Sequence, residues 1–529
     1  MVVKAGGLSR NASFLRSAEW PKGGKVTWID FYYRKDWLLT EQPEVLLELL
    51  ALAEWRLDDP NDADPRYLQL AKAVREAVDR GAIPHGSLLP PERALADRLS
   101  ISRTTVANAY NSLRDWRYAE RRQGSGTWIV SPHRAELPGT STTHREQSSS
   151  VTSDYIDLTM AAPSGPPDFS HILDSLSEGW QVDAERYGHG YNPEGLLELR
   201  TSIAQRFESH GVPTSEKQVL ITTGAQQAIS LISSLVLGPG QVVVVESPTY
   251  FGALDVFRRS GAELRPIEID HEYRVSGDQF VSAIIDRPRL VYLVPTFQHP
   301  TGTVMPDPIR RSVVNAAVEA GVIVVDDRAL ADLRLTDTSS PPPLAAYDEP
   351  GDTVLSIGTM SKVFWAGLRV GWVRGPEAII KELAAQKAVA DLGTSILDQV
   401  ISNRLLAGID GFLKIRHDQL VQRLDALTCA IEEQLPTWSW QRPEGGLSLW
   451  VQIPEGTASD YVPFAHREGV GLIAGSYFAA DENHSTNALR LPLILDTHDL
   501  DVSVHRLASA WDTYLGHLHK RKGVNQFVV

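Results

Sequence analysis

The stretch SKVFWAGLRVGW, residues 361–372, sets a lysine ahead of an apolar, glycine-marked run and an arginine seven residues beyond it. Taken alone, Lys362 and Arg369 describe two solvated charges on adjacent turns. What precedes them changes the reading, because the apolar run VLSIG leads into Thr359-Met360-Ser361-Lys362 and so delivers the amine at a strand end. Outward from there, β-branched apolar runs alternate with helical segments: VLITT with GAQQAISLISSLV, VVVVE with YFGALDVFRRS, then LVYLV and VIVVDD. This alternation predicts an α/β module from residue 155 on, built on a mostly parallel, doubly wound sheet.

Such sheets hold ligands at the carboxyl ends of their strands. After VLITT, Gly224-Ala225-Gln226 open a helix whose free N–H groups and dipole suit an anion. VIVVDD ends in Asp326 and Asp327, and VLSIG ends beside Lys362. Each has an ordinary explanation by itself: a tight turn, a helix cap, a surface amine. Together they are what pyridoxal 5'-phosphate requires. A lysine condenses with its aldehyde, an aspartate keeps the ring nitrogen protonated, and a helix N-terminus with an arginine, here Arg369, holds the phosphate. The glycines of 361–372 let the backbone pass close to the cofactor.

Residues 155–515 resemble fold-type I aminotransferases. YGHGYNPEGLLELR is similar to the family's Y-x-x-x-G-x-x-x-LR entry, TTGAQQA to its phosphate turn, and ESPTY to E-x-P-x-Y. VPTFQHPTG is similar to Q-N-P-T-G, TMSKVFWAGLRVGW to S-x-S-K-x-x-x-PG-LR-x-G, and PEGGLSLWV and ALRL to the motifs of a small C-terminal α+β domain. The resemblance implies that Tyr250 stacks on the pyridine face, that Thr359 and Ser361 join Gly224, Ala225, Gln226 and Arg369 around the cofactor, and that Arg490 takes a substrate or effector carboxylate. Two positions depart from it. His299 stands where the family's asparagine bonds the ring oxygen, and Leu330 where a tyrosine would do the same. His299 retains one donor and Leu330 has none, so efficient multi-turnover transamination is not the expectation.

A second module lies ahead of residue 155. PRYLQLAKAVREAVDRG places Leu68, Leu70, Ala71, Val74 and Val78 near one face, PERALADRLS reads as a second helix, and RTTVANAYNSLRDW as a third with Val106, Tyr110 and Leu113 inward. Arg103, Thr104, Thr105 and Asn108 then crowd the outward N-terminal end of the third helix, as in a helix-turn-helix that meets phosphates and base edges. YAERRQGSGTWIV reads as a two-stranded wing, with Gly124 and Gly126 in the turn and Arg121 and Arg122 poised on phosphate. A helical hairpin with a solvated basic face has the same composition, and the order of residues separates the two. GSLLPPERALADRLSISRTTVANAYNSLRDWRYAERRQGSGTW resembles the winged helix-turn-helix of GntR-type regulators, with Pro91 where a serine is usual. That resemblance adds Arg93, Ser102 and Ser125 to the DNA-facing set. A GntR-type head joined to an aminotransferase-like module resembles the MocR/GabR regulators, which implies double-stranded operator DNA, a small amine or amino acid (or the cofactor itself) and a second copy of the chain as partners.

Charge follows the same division. Twelve Lys/Arg face six Asp/Glu between Pro65 and Arg134, a net +6 in a 529-residue chain of formal charge −15, which leaves −21 elsewhere. A uniformly basic nucleic-acid coat is excluded, and a local basic module is not. The Ser/Thr/Pro-rich run 131–154 has no apolar periodicity and reads as a flexible linker. The expected organisation is an extension over 1–62 with a short amphipathic helix at 44–55, the head over 63–130, the linker, and the cofactor module over 155–519. One cysteine, Cys429, permits no intrachain disulfide and is expected to be a small buried hydrophobe. No apolar run approaches twenty residues, so a cytoplasmic protein without a membrane span is expected.

Overall fold

A computed structural model describes residues 65–79, 87–116, 118–122, 126–129, 155–163, 187–269, 277–481 and 486–524. The extension over 1–62, the helix expected at 44–55, the linker over 131–154, and Gly124 and Ser125 lie outside these residues. Contacts divide the chain into two units, Met1–Leu137 and Pro138–Val529.

The first unit has helices α1 (Arg66–Asp79), α2 (Glu92–Leu99) and α3 (Arg103–Asp115), followed by the antiparallel pair β1 (Ala119–Arg122) and β2 (Gly126–Ile129). Leu70, Ala71 and Val74 of α1, Leu95 of α2, and Val106, Ala109, Tyr110 and Leu113 of α3 close one core with Tyr118 and Ile129. Each large aliphatic side chain buried there is worth about 1.5–3 kcal/mol. The family's usual serine would cap α2. Pro91 stands there and supplies no side-chain bond, but the Tyr110 hydroxyl donates to Pro90 O at 2.8 Å and anchors the same turn. Gly126 has φ +97, and a Cβ there would lie 2.8 Å from Leu88 Cδ1, so the wing closes onto the head only with glycine.

In the second unit the long run of elements is β3 (Ile156–Asp157), α4 (Leu197–Ser209), β4 (Val219–Thr222), α5 (Ala225–Val236), β5 (Val242–Ser247), α6 (Phe251–Arg259), β6 (Glu263–Glu268), α7 (Gly277–Ile285), β7 (Leu290–Leu293), α8 (Asp307–Ala320), β8 (Ile323–Asp327), β9 (Val354–Thr359), β10 (Gly371–Arg374) and α9 (Glu377–Ala390). The seven strands are ordered β4-β10-β9-β8-β7-β5-β6. Every pairing is parallel except those of β10, which runs antiparallel to both β4 and β9. The mostly parallel sheet is therefore as expected, with one reversed strand that the alternation of apolar runs did not reveal. Reversal sets the start of β10 at the edge where its neighbours end, with Gly371 opposite both Thr222 and Thr359.

After α9 come α10 (Ile396–Ala407), the long α11 (Ile409–Gln434), β11 (Ser439–Trp440), β12 (Ser448–Gln452), α12 (Ala458–Arg467), β13 (Val470–Gly471), β14 (Ile473–Ala474), β15 (Ala488–Pro492) and α13 (Thr497–Val524). Strands β11-β12-β15-β14 form a small antiparallel sheet, and β13 pairs in parallel with β3. This is the small α+β domain. Cys429, on α11, is exposed rather than buried, with Sγ 3.7 Å from Glu433 Oε1, because it lies on the solvent side of a helix whose inward face is taken by Leu420, Leu424, Leu427 and Ile431. No described helix is long and apolar enough to cross a membrane.

Candidate cofactor site and DNA-facing surface

The ends of β4, β9 and β8 and the start of the reversed β10 meet at one edge of the seven-stranded sheet. Gly224 caps α5 with φ +86, directly after β4. From the other side Arg369, itself in the left-handed region at φ +49, donates from a terminal guanidinium nitrogen to Thr223 O at 2.8 Å. A Cβ on Gly371 would lie 2.7 Å from Gly224 C and 2.8 Å from Gly358 O, so β10 rests backbone to backbone against the turn. The arginine is brought to the turn by the reversed strand.

Lys362 is half-buried, and its Nζ donates to Ala161 O at 2.8 Å. Burial, with Arg490 adding to it, lowers its pKa to about 8, against the opposing pull of Asp327. A half-shielded amine of this kind is partly neutral near pH 7, as a nucleophile needs. Thr359 Oγ1 accepts from Ser361 N at 3.1 Å and donates to Ser361 Oγ at 3.0 Å, bracing the turn that presents the lysine. Asp327 is buried at the end of β8. Burial raises its carboxyl, while the Tyr292 hydroxyl, donating at 2.6 Å, and the Ala329 N–H stabilise the charged form.

Tyr250 sits at the start of α6, with its hydroxyl on Gln226 Oε1 at 2.9 Å and its ring 6.1 Å from that of His299. His299 is buried, and burial with the charges of Arg490 and Lys362 holds its imidazole neutral, well below its ordinary value. Leu330 is buried too and reaches toward Gly446. Arg490 lies within β15, 2% exposed, its pKa lowered to about 10 by burial. One terminal nitrogen donates to Leu158 O at 3.2 Å and to Thr159 O, the guanidinium lies over the Phe478 ring, and Nε is buried with no partner among the described residues.

The residues present fit pyridoxal 5'-phosphate: a glycine-lined helix start with an arginine beside it, a buried carboxylate and a half-buried amine, all at one sheet edge. When bound, that cofactor supplies an electrophilic aldehyde and an electron-withdrawing ring. Lys362 would carry the aldehyde carbon, Asp327 the ring nitrogen, and Gly224, Ala225, Gln226, Ser361 and Arg369 the phosphate. Sequence reasoning passed over Tyr292, although a tyrosine inside an otherwise aliphatic buried strand must find a partner for its hydroxyl. It also passed over the carbonyls of Leu158, Thr159 and Ala161, which carry no side-chain signal.

In the head, Arg93, Ser102, Arg103, Thr104 and Asn108 are exposed around the start of α3, and Arg121 is exposed on β1. Thr105 is half-buried rather than outward-facing, because it belongs to the helix cap: Ser102 Oγ accepts from Thr105 N at 3.1 Å and meets Thr105 Oγ1 at 2.7 Å. Arg103 is tethered through Nε to Glu92 at 3.1 Å, with its side chain 71% exposed. The side chain of Arg122, like Ser125, lies outside the described residues.

Fold and site together define a pyridoxal-phosphate-type α/β domain carried behind a winged helix-turn-helix. The model of aminotransferase class I and II matches residues 155–507, and that of the gntR family of bacterial regulatory proteins matches 66–129. The chain belongs to the aminotransferase class I and II family and carries a GntR-type DNA-binding head, the arrangement of MocR-type regulators. It is 29% identical over 425 residues to the uncharacterized HTH-type transcriptional regulator YisV of Bacillus subtilis, covering 76% of this chain and 87% of that one. It is 31% identical to aromatic-amino-acid aminotransferase 1 of Thermococcus litoralis, over 64% of this chain and 84% of that one. Among solved structures it is similar to the α-aminoadipate aminotransferase LysN of Thermus thermophilus, complexed with N-(5'-phosphopyridoxyl)-L-leucine, with TM-score 0.63 and 28% identity over 71% of this chain and 97% of that one.

Proposed function

We propose that the chain is a transcriptional regulator that binds double-stranded operator DNA through the start of α3 and senses a small amine or amino acid, or pyridoxal phosphate itself, at the site around Lys362. One observation carries this reading: a helix-turn-helix with an exposed donor-rich end shares a chain with a complete set of cofactor groups, Lys362, Asp327, Arg369 and the Gly224 turn. Arg490 gives the site its second arginine, and its Nε, which has no partner among the described residues, is a donor that a carboxylate would satisfy. The carbonyls now on Lys362 and Arg490 belong to 158–161, close after the 131–154 run that leads from the head. A carboxylate taken by Arg490 competes with them, and the segment nearest the linker is then the part displaced.

A working aminotransferase is the second reading, favoured by the same four groups. His299 and Leu330 count against it, since a neutral buried imidazole and an aliphatic chain replace the donors that would tune the ring. The experiment pairs DNA-binding anisotropy with and without pyridoxal phosphate and a panel of amines with steady-state turnover on amino-acid and keto-acid pairs. A ligand-dependent change in DNA affinity with turnover near background is expected. Brisk turnover with unchanged DNA affinity overturns the regulatory reading.

A homodimer belongs to this proposal. Tyr191, Leu392 and Leu397 are large apolar residues 63%, 47% and 52% exposed. The loops of Tyr191 and Leu392 are packed together where Gly393 meets Asn192, its Cβ position 2.6 Å from Asn192 O, and Leu397 follows in the first turn of α10. Such a patch supports burial against a second copy, and sedimentation at micromolar concentration tests it.

A further inference from the structure

The phosphate turn is tied to a polar chain that neither the cofactor groups nor the DNA-facing residues account for. Gln227, one residue beyond the turn on α5, accepts from Thr223 N through Oε1 at 2.7 Å and donates through Nε2 to Asp391 Oδ2 at 2.6 Å. These two partners fix which end of the amide is which, because an N–H requires the oxygen and a carboxylate requires the nitrogen. Asp391, just past α9, is held in turn by Lys387 Nζ at 2.7 Å from each oxygen and by Gly393 N at 2.9 Å. The Lys387 side chain is fully buried and that of Asp391 is 28% exposed. A buried ammonium is costly unless paired, so Lys387 holds the partly exposed Asp391 carboxylate in place.

The chain acts on a single residue, through the peptide units on either side of it. With Thr223 N–H taken by Gln227 and Thr223 C=O taken by Arg369, both backbone polar groups of Thr223 are committed. The backbone entering Gly224 is thereby fixed, and the unbonded N–H groups at the start of α5 keep one direction. Preorganised donors bind an anion more tightly than donors that must be ordered on binding.

We propose that Gln227, Asp391 and Lys387 are positioning residues of a phosphate-monoester seat formed by Gly224, Ala225, Gln226 and Arg369. The proposal rests on reading that turn as the cofactor's phosphate site and names what sets its affinity. It predicts a phosphate-selective defect. Loss of Gln227 or of the Asp391 charge weakens the hold on the phosphate and leaves condensation of an aldehyde with Lys362 intact.

The test titrates the full-length protein with pyridoxal 5'-phosphate and, separately, with pyridoxal, which has the same aldehyde and no phosphate, following the near-visible absorbance of the lysine adduct. In Gln227→Leu the preference for the phosphorylated ligand falls by about 10- to 100-fold, the loss expected for removing a charge-assisted link, while pyridoxal affinity stays within about twofold. Asp391→Asn, which keeps the volume and one acceptor, gives a loss of about 3- to 10-fold in the same ratio and serves if the first variant does not fold. Equal weakening of both ligands means the chain only stabilises the domain, and an unchanged ratio means the turn is fixed without it; either result overturns the proposal. If the wild-type protein does not prefer the phosphorylated ligand, the reading of the phosphate site itself fails, an outcome distinct from a preference that persists in the variants.

Discussion

The two functional regions of this chain are built in opposite ways. At the start of α3 the groups proposed to face DNA are neighbours in sequence, mostly exposed, and positioned by short-range bonds such as Ser102 to Thr105. At the sheet edge the groups proposed for the cofactor come from the ends of β4, β8 and β9 and the start of β10, spread over about a quarter of the chain, and they are positioned by backbone packing and by partners such as Tyr292 and Asp391. Substitutions in the first region are expected to act where they are made. Those in the second are expected to pass to their neighbours.

The largest effect tests whether the buried region has one irreplaceable centre. Lys362→Ala abolishes the borohydride-reducible link to pyridoxal phosphate, read by mass spectrometry, because the other lysine tied to that edge, Lys387, is fully buried and paired with Asp391; trapping on another lysine refutes the assignment. The same amine sets a pH dependence. Since its pKa is lowered to about 8, deprotonation to the nucleophilic form advances as pH rises through that value, and the condensation rate rises with it and levels above. An inflection at the ordinary lysine value would show that burial does not act on it.

Next comes the transmission expected of a packed site. Gly371→Ala forces a methyl against the Gly224 backbone, which no rotamer relieves, at a cost of about 1–3 kcal/mol. Pyridoxal phosphate titration should show a weakening of about 10- to 100-fold, on the scale of tenfold per 1.4 kcal/mol. Unchanged affinity would mean that β10 and the turn move independently.

In the head, Arg103→Ala costs about 1–3 kcal/mol on a specific operator if the side chain reads a base, with little loss on random DNA. Arg122→Ala, on the wing, weakens both and flattens the salt slope by about one unit. Equal losses on both DNAs for both variants would remove base reading from α3. The smallest effect sharpens the contrast between local and distant construction. Ser102→Ala removes a helix cap worth about 0.5–2 kcal/mol, seen as faster hydrogen exchange in the first turn of α3. A loss of operator binding larger than this loss of stability would assign the Ser102 hydroxyl to DNA instead.

How much of this was legible follows from the same contrast. The amino-acid order by itself determined the helix-turn-helix, because its elements are short, contiguous and marked by helical periodicity and caps. It also determined the strand-end residues Gly224, Asp327 and Lys362, because an apolar strand announces where it stops. It did not determine that β10 runs backward, since four residues of GWVR carry no sign of direction. That reversal brings Arg369 onto Thr223. Nor did it show that Thr105 serves the cap, that Cys429 faces solvent, or that Gln227, Asp391 and Lys387 form one chain across 164 residues of sequence. Strand direction, helix rotation and long-range hydrogen bonds are settled by which surfaces pack together. A backbone carbonyl such as Thr159 O, chemically the same at every residue, gains a role at Arg490 only when the tertiary structure sets it there.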